Sequence, residues 1–145
     1  MRIAVASDHA GFDLKASVVD HLRSVGHQVD DLGTDGPDSV DYPDFGAAVG
    51  AAVVRGEAEL GVALCGTGIG IGIAANKVAG VRAATVHDAT GARLSRQHND
   101  ANVLCLGQRL TGVAVALDAV DAFLAARFEG GRHQRRVDKI AGLEH

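Results

Sequence analysis

Aromatic residues are scarce: they make up 3% of the 145-residue chain, with no tryptophan and a single tyrosine. A platform that stacks exposed bases is therefore not expected, and the core must be assembled from Ala, Val, Leu and Ile. Cysteine is limited to Cys65 and Cys105, too few for a disulfide framework. Long apolar runs are missing. The longest small-apolar stretch, Phe45 to Val54, is about half of a membrane span, and Asp8 and His9 interrupt the first apolar stretch, so no signal-type segment opens the chain. Positive charge is in deficit, 14 Lys and Arg against 18 Asp and Glu for a net −4. That disfavours nucleic acid or an anionic membrane surface as partner and leaves room only for a local basic pocket. Disorder is excluded by 47% hydrophobic and 22% charged residues. What remains is a soluble, cytoplasmic protein with one domain over 1–142, long enough to bury roughly 70% of its unfolded surface. Leu143-Glu144-His145 reads as a purification-tag remnant and is set aside.

The apolar pattern alternates between two periods. Ile3 to Ser7, His27 to Leu32, Leu60 to Cys65, Arg82 to Val86 and Val103 to Leu106 read as strands. Between them, Leu14, Val18, Val19 and Leu22 recur at helical spacing up to a Gly26 stop. Asp44 to Val54 forms a small-residue helix, and Gly66 to Asn76 passes from a glycine-rich turn into another. Thr90 to Gln97 and Val113 to Phe128 complete the alternation, and a basic helix runs from about Arg132 to Ile140. Gly33 to Tyr42 is a loop. Strand–helix alternation with near-continuous apolar strands predicts a parallel sheet covered on both faces, a three-layer α/β domain. Ligands of such sheets bind beyond the carboxyl ends of the strands, where strand order reverses. The positions to inspect are therefore Asp8 and His9, Cys65 to Gly70, His87 and Asp88, and Gly107 to Arg109.

Cys65-Gly66-Thr67-Gly68-Ile69-Gly70-Ile71-Gly72 is the most informative segment. It leaves a strand and opens a helix, so its backbone N–H groups converge on a concavity suited to negative charge. It lacks the Gly-Lys-Ser/Thr of a P-loop, and its glycines are out of register for a dinucleotide fingerprint, the third position falling on Ile71. A plain tight turn would account for one or two glycines, not for four at alternate positions. Cys65 precedes this turn, where a thiol can serve as base or nucleophile; Cys105 has no such turn and reads as packing.

Asp8 can cap the following helix, whereas His9 shows no structural task. His98-Asn99-Asp100 lies between a helix and a strand; a turn explains Asn-Asp, and the His98 imidazole suits proton transfer to a sugar oxygen. Arg132 and Arg136 are four residues apart, hence on one helical face, and two such guanidinium groups, with Arg109, can grip a phosphate. A solvated charged face is the competing reading. No pair of His, Cys or Asp has metal-ligand spacing, so no metal is expected.

Taken together, Ser7-Asp8-His9-Ala10-Gly11-Phe12, Asp41-Tyr42-Pro43, the Cys65–Gly70 turn, Ala74-Ala75-Asn76-Lys77, Ser95 to Asn102 and Gly131 to Arg136 resemble the type B ribose-5-phosphate isomerases, in order from about Arg2 to Ile140. The wider family includes galactose-6-phosphate isomerase subunits. The resemblance implies a Rossmann-like domain with a five-stranded parallel sheet, order 2-1-3-4-5, plus a C-terminal helix. It implies an aldose–ketose isomerase of pentose phosphate metabolism, acting on ribose 5-phosphate, without cofactor or metal. Cys65 matches the base that moves a proton between C2 and C1. Gly66, Thr67, Gly68, Ile69 and Gly70 match the turn that holds the developing enediolate oxygen, with Thr67 in the catalytic set. His98 matches the residue that helps open the sugar ring. Asp8, His9, Tyr42 and Asn99 match substrate-contacting positions, and His9, Arg109, Arg132 and Arg136 phosphate-contacting ones. The resemblance further implies a homodimer or homotetramer with sites shared between subunits. An isomerase of a tetrose, allose or galactose phosphate is an alternative, as is a non-catalytic module that binds a phosphorylated sugar.

Overall fold

The computed structural model describes residues 1–144. Three apolar runs, β1 (Arg2–Ser7), β3 (Leu60–Cys65) and β5 (Val103–Gly107), are buried along their whole length except at Arg2. Having no polar face to turn to water, they take the middle of a five-stranded, wholly parallel sheet. The polar β2 (Gln28–Asp31) and the short, half-exposed β4 (Ala83–Thr85) form the edges.

The spatial order is β2-β1-β3-β5-β4. The expected 2-1-3-4-5 is thus corrected at its last two places. β3 needs a neighbour as apolar as itself, and the five buried residues of β5 supply one. The three half-exposed residues of β4 go outside, where a short edge strand is a lesser liability. Asn76 stands in for a further strand there: its Nδ2 donates to the Ala83 carbonyl (3.0 Å) and its Oδ1 accepts from the Ala83 N–H (2.8 Å).

Strand order decides which face each helix covers, because right-handed crossovers travelling in opposite directions lie on opposite faces. The connections β1-α1-β2 and β4-α4-β5 travel one way, and β2-α2-β3 and β3-α3-β4 the other. Core residues sort accordingly. On one face, α1 (Phe12–Ser24), α4 (Ala89–Asn99) and α5 (Val113–Ala125) bring Leu14, Val18, Ala92, Val120 and Phe123 onto Val5, Val62, Leu64 and Leu104. On the other, α2 (Tyr42–Val54) and α3 (Ile69–Ala75) bring Val49, Ala52, Ile71 and Ala75 onto Ala4, Ala6, Ala63 and Cys105. Alternation along each strand delivers large side chains to the first face and small ones to the second.

Most element ends shift by one to three residues from expectation, and two of the shifts have a plain cause. α2 begins at Tyr42, with Pro43 in its first turn, where a missing N–H costs nothing. α5 stops at Ala125 rather than Phe128, because Ala126 turns extended (φ −78°, ψ 156°) and the Glu129 N–H then reaches back to the Gln97 carbonyl (3.0 Å). The last helix, α6 (Arg132–Ala141), packs beside α4. Of the expected tag remnant, His145 lies outside the described residues, while Glu144 Oε1 accepts from the Gly80 N–H (2.8 Å).

One buried cation shapes the approach to the site. Lys15 is 2% exposed, and its Nζ donates to Asp31 Oδ1 (2.6 Å) and the Thr34 carbonyl (2.7 Å). Those bonds fix where the chain leaves β2 and starts the loop that ends at α2.

Candidate active site

The carboxyl ends of β1, β3 and β5 meet at a crevice of about 390 Å³ lined by Asp8, His9, Ala10, Tyr42, Cys65, Gly66, Thr67, Ile69, Gly70 and Arg109. Its position follows from topology: β1 and β3 are neighbours whose onward connections depart in opposite directions, the reversal point at which open α/β sheets bind ligands.

Cys65 ends β3, and its Sγ accepts the Gly68 N–H at 3.1 Å. Gly68 adopts a left-handed conformation (φ 76°), which bends the chain back over the sulfur. The turn is held from below: the Gln108 N–H donates to the Cys65 carbonyl, the Arg109 N–H to the Gly66 carbonyl (both 2.9 Å), and Thr85 Oγ1 to the Gly68 carbonyl (2.9 Å). Thr67 Oγ1 takes the Ile69 N–H (3.1 Å). Among the described residues, the N–H groups of Gly66 and Thr67 have no acceptor, so they remain available to a ligand oxygen. Two glycines are dictated by close approach. A Cβ on Gly70 would lie 2.6 Å from the Tyr42 ring, and one on Gly107 would lie 2.4 Å from the Thr67 backbone. The Arg109 guanidinium lies against Gly66, 3.4 Å from where a Cβ would stand.

At the end of β1, Asp8 Oδ1 accepts from the Gly11 N–H (3.1 Å), so the capping role is real even though Asp8 also lines the crevice. His9, which shows no structural task in the sequence, has one: its Nδ1 accepts the Val40 N–H at 3.1 Å. A backbone N–H can only donate, so in the neutral ring the proton sits on Nε2, which is left as a donor for a ligand. The loop carrying Val40 is the one that Lys15 anchors.

His98, Asn99, Arg132 and Arg136 are elsewhere. α4 runs antiparallel to the strands, so its last residues, His98 and Asn99, lie at the amino ends of β4 and β5. The length of β5 separates them from Cys65, roughly 15 Å. Asn99 lines a different cavity with Asn76, Arg82 and Ile140. The His98 and His133 rings stack at 4.4 Å, which puts the start of α6, with Arg132 and Arg136, at the same remote end. His87 is exposed and outside the crevice, and the adjacent Asp88 caps α4 through the Gly91 N–H (2.7 Å). One chain therefore presents two half-sets of candidate residues: nine line the crevice, with Gly68 in the turn over Cys65, and four lie at the opposite end.

Comparison with known proteins gives this split a frame. The profile described as Ribose/Galactose Isomerase matches residues 3–140. Ribose-5-phosphate isomerase B of Escherichia coli is 49% identical over 143 residues, covering 99% of this chain and 96% of that one. The structure of Clostridium thermocellum ribose-5-phosphate isomerase B superposes with a TM-score of 0.98 at 53% identity, over 99% of this chain and 97% of the other. That of the Mycoplasma genitalium enzyme, solved with bound ribulose-5-phosphate, gives 0.93 at 48% identity over 97% and 94%. The chain belongs to the ribose/galactose isomerase family.

Cys105 is fully buried and does not line the crevice. Burial first, and then the neighbouring Cys65, push its thiol up to about 12. The polar residues beside His98 and Asn99 act as scaffolding. Asp100, in a left-handed conformation (φ 49°), pairs with Arg96 (2.9 Å) and Arg82 (3.3 Å), while Asn102 bonds the Arg82 N–H (2.7 Å) and the Gly80 carbonyl (2.9 Å). These bonds hold the end of α4 where His98 and Asn99 project. Sequence reasoning missed three contributors: Lys15, Gln108, whose Oε1 caps the Leu14 N–H (2.9 Å), and the approach of Glu129 and His133 to His98. Only the last left a local trace, in the i, i+4 spacing of Glu129 and His133.

Proposed function

We propose that the chain is an aldose–ketose isomerase that interconverts ribose 5-phosphate and ribulose 5-phosphate by moving a proton between C2 and C1. The observation that carries this reading is the Cys65 sulfur at the crevice, beneath a turn with two unused N–H donors. Such isomerisation needs a base near the C–H, donors at the oxygen that becomes negative, and an anchor on the unreactive end of the sugar. Cys65 takes the proton from C2 and returns it to C1, because the two carbons are neighbours and one sulfur reaches both. The Gly66–Gly70 turn, Thr67 included, holds the enediolate oxygen. Asp8 and Tyr42 border the sugar, and His9 Nε2 and Arg109 hold the phosphate. No electrons leave the substrate, so no redox cofactor is needed. Relatives named for this reaction, one of them bound to ribulose-5-phosphate, support the substrate class.

The remote half-set completes the site from a second copy. His98 opens the furanose ring, Asn99 contacts the sugar, and Arg132 and Arg136 bind the phosphate, all delivered across a homodimer interface. An exposed apolar rim supports this: Ile69 and Ile73, 52% and 60% exposed, stand beside the crevice on α3, and Leu110 and Val113 follow Arg109. No described helix is long and apolar enough to cross a membrane, in keeping with a cytoplasmic location. The family description also covers galactose, which keeps a six-carbon sugar phosphate as the second reading. Measuring kcat/KM on four-, five- and six-carbon aldose phosphates decides between them. The five-carbon substrate is expected to lead; a six-carbon optimum selects the second reading, and no turnover on any of them rejects both.

Gly107→Ala tests whether the turn geometry matters. The new Cβ meets backbone rather than a flexible side chain, so the turn must move. The expected result is a loss of about 1–3 kcal/mol in urea unfolding and a fall in kcat of about 10²-fold. Wild-type values for both would mean that the turn tolerates displacement.

A further inference from the structure

Three groups that the proposed reaction does not bring together as a set converge at the end of α4. Glu129 Oε1 lies 3.8 Å from His98 Nε2 and 3.6 Å from His133 Nε2, and one ligand atom from each of the three residues lies within 4.8 Å of the others. These separations exceed a hydrogen bond. They are close to the ligand–ligand distance of a tetrahedral zinc site, about 3.3 Å for metal–ligand bonds of about 2.0–2.1 Å. The two Glu129 separations need to contract by only a few tenths of an ångström, and one imidazole must turn out of the stack to seat an ion.

We propose that His98, Glu129 and His133 bind a divalent transition-metal ion of the zinc class, and that the bound ion removes His98 Nε2 from ring opening. The first half stands on geometry alone; the second rests on the function proposed above.

The backbone pre-positions the ligands. The Glu129 N–H is tied to the Gln97 carbonyl (3.0 Å), one residue before His98, and the His133 N–H to the Gly130 carbonyl (3.0 Å). The two imidazoles stack at 12° with their in-plane lone pairs running side by side, so the His98 ring, whose side chain is 36% exposed, must turn out of the stack for both to meet one ion. Two imidazoles and one carboxylate form a donor set of the zinc type, whereas magnesium and calcium favour oxygen ligands throughout. In the single chain the Glu129 side chain is 52% exposed and the His98 side chain 36%; in the dimer proposed above this end faces the partner's crevice, where water or an anion can take the fourth position. Arg132 and Arg136, on the same helix as His133, oppose a cation but suit an anionic fourth ligand. Both histidines reach with Nε2, so an ion there occupies a nitrogen that His98 would need for a ring oxygen approaching from that side.

Cobalt(II) is the probe for the first half. Titrated into the full-length protein without sugar, it is expected to give one equivalent per chain with the visible absorption of a four-coordinate N/O site. No sulfur-to-cobalt charge-transfer band is expected, and Cys65→Ser should leave the signal intact. Glu129→Gln and His133→Ala should each weaken binding about tenfold or more. Glu129 is exposed, so its variant reports even if His133→Ala fails to fold. Zinc tests the second half: it should inhibit turnover reversibly, with EDTA restoring the rate. Glu129→Gln should require about tenfold more zinc for half-inhibition, judged against its own metal-free rate. A cobalt signal that vanishes in Cys65→Ser, or that is unchanged in Glu129→Gln, overturns the site. Cobalt binding without zinc inhibition overturns the effect on His98. A chain with no isomerase activity would remove the zinc assay and the proposed function together, and leave the cobalt result to decide the site.

Discussion

Cys65→Ala is expected to lower kcat by about 10³-fold while KM changes little. Positioned general bases contribute about 10²–10⁴ to rate, and no other group at the crevice lies both beneath the turn and at the end of β3. Binding survives because His9 and Arg109 do not depend on the sulfur. Alkylation supplies a second measurement on the same atom. Iodoacetamide is expected to inactivate the enzyme with one label per chain, since Cys105, pushed up to about 12 and wholly buried, stays an inert thiol. Substrate should protect Cys65 from the label. Near-normal turnover of Cys65→Ala with an unchanged unfolding midpoint would remove Cys65 as the base. Residual binding is the informative control: a variant that neither turns over nor binds sugar phosphate has lost its fold or its crevice rather than its base.

Local signals made much of this architecture legible before any coordinates. β1, β3 and β5 are apolar without interruption, and a run that is apolar on both faces has one home in an α/β domain, the middle of the sheet. The rule that ligands gather beyond the strand ends singled out Asp8, His9, Cys65–Gly70, His87, Asp88 and Gly107–Arg109; of these, Asp8, His9, Cys65, Gly66, Thr67, Ile69, Gly70 and Arg109 line one crevice, while His87 and Asp88 lie outside it. The exchange of β4 and β5 was not legible. Whether a strand pairs with its predecessor or one place further out depends on how well its neighbour covers it, a non-local competition that three half-exposed residues lose to five buried ones. The role of His9 was hidden for a similar reason. Its partner Val40 is 31 positions away, on a loop whose course depends on the buried Lys15. The convergence of His98, Glu129 and His133 was also hidden, because two elements contribute and only the Glu129–His133 interval is short. His98, Asn99, Arg132 and Arg136 are the opposite case. The strand-end rule does not reach them, since they lie at the other end of the sheet, and only the family resemblance attached them to the site.

That separation leads to the second large effect expected of this protein, the recovery of activity from two inactive variants. If each site takes its crevice from one chain and His98 from the other, Cys65→Ala and His98→Asn disable a homodimer at both sites, each for a different reason. Co-expressed, they form heterodimers in which one site carries both lesions and the other carries none. Random pairing makes half of the dimers heterodimers, each with one intact site of two, so the mixture should show about one quarter of wild-type activity. The parents stand about 10²-fold or more below wild type, so the expected recovery is far outside assay error. The same arithmetic holds for a tetramer built as a pair of such dimers. Cys65→Ala paired with Arg136→Ala should recover too, whereas Cys65→Ala paired with Arg109→Ala should not, because both lesions fall in the same crevice and every heterodimer site contains one of them. A co-expressed mixture no more active than its parents, with heterodimers demonstrated by differential tagging, would mean that each chain completes its own site. The roughly 15 Å that β5 places between Cys65 and His98 would then have to close by a rearrangement of α4 that the Arg82–Asp100–Arg96 ion pairs oppose.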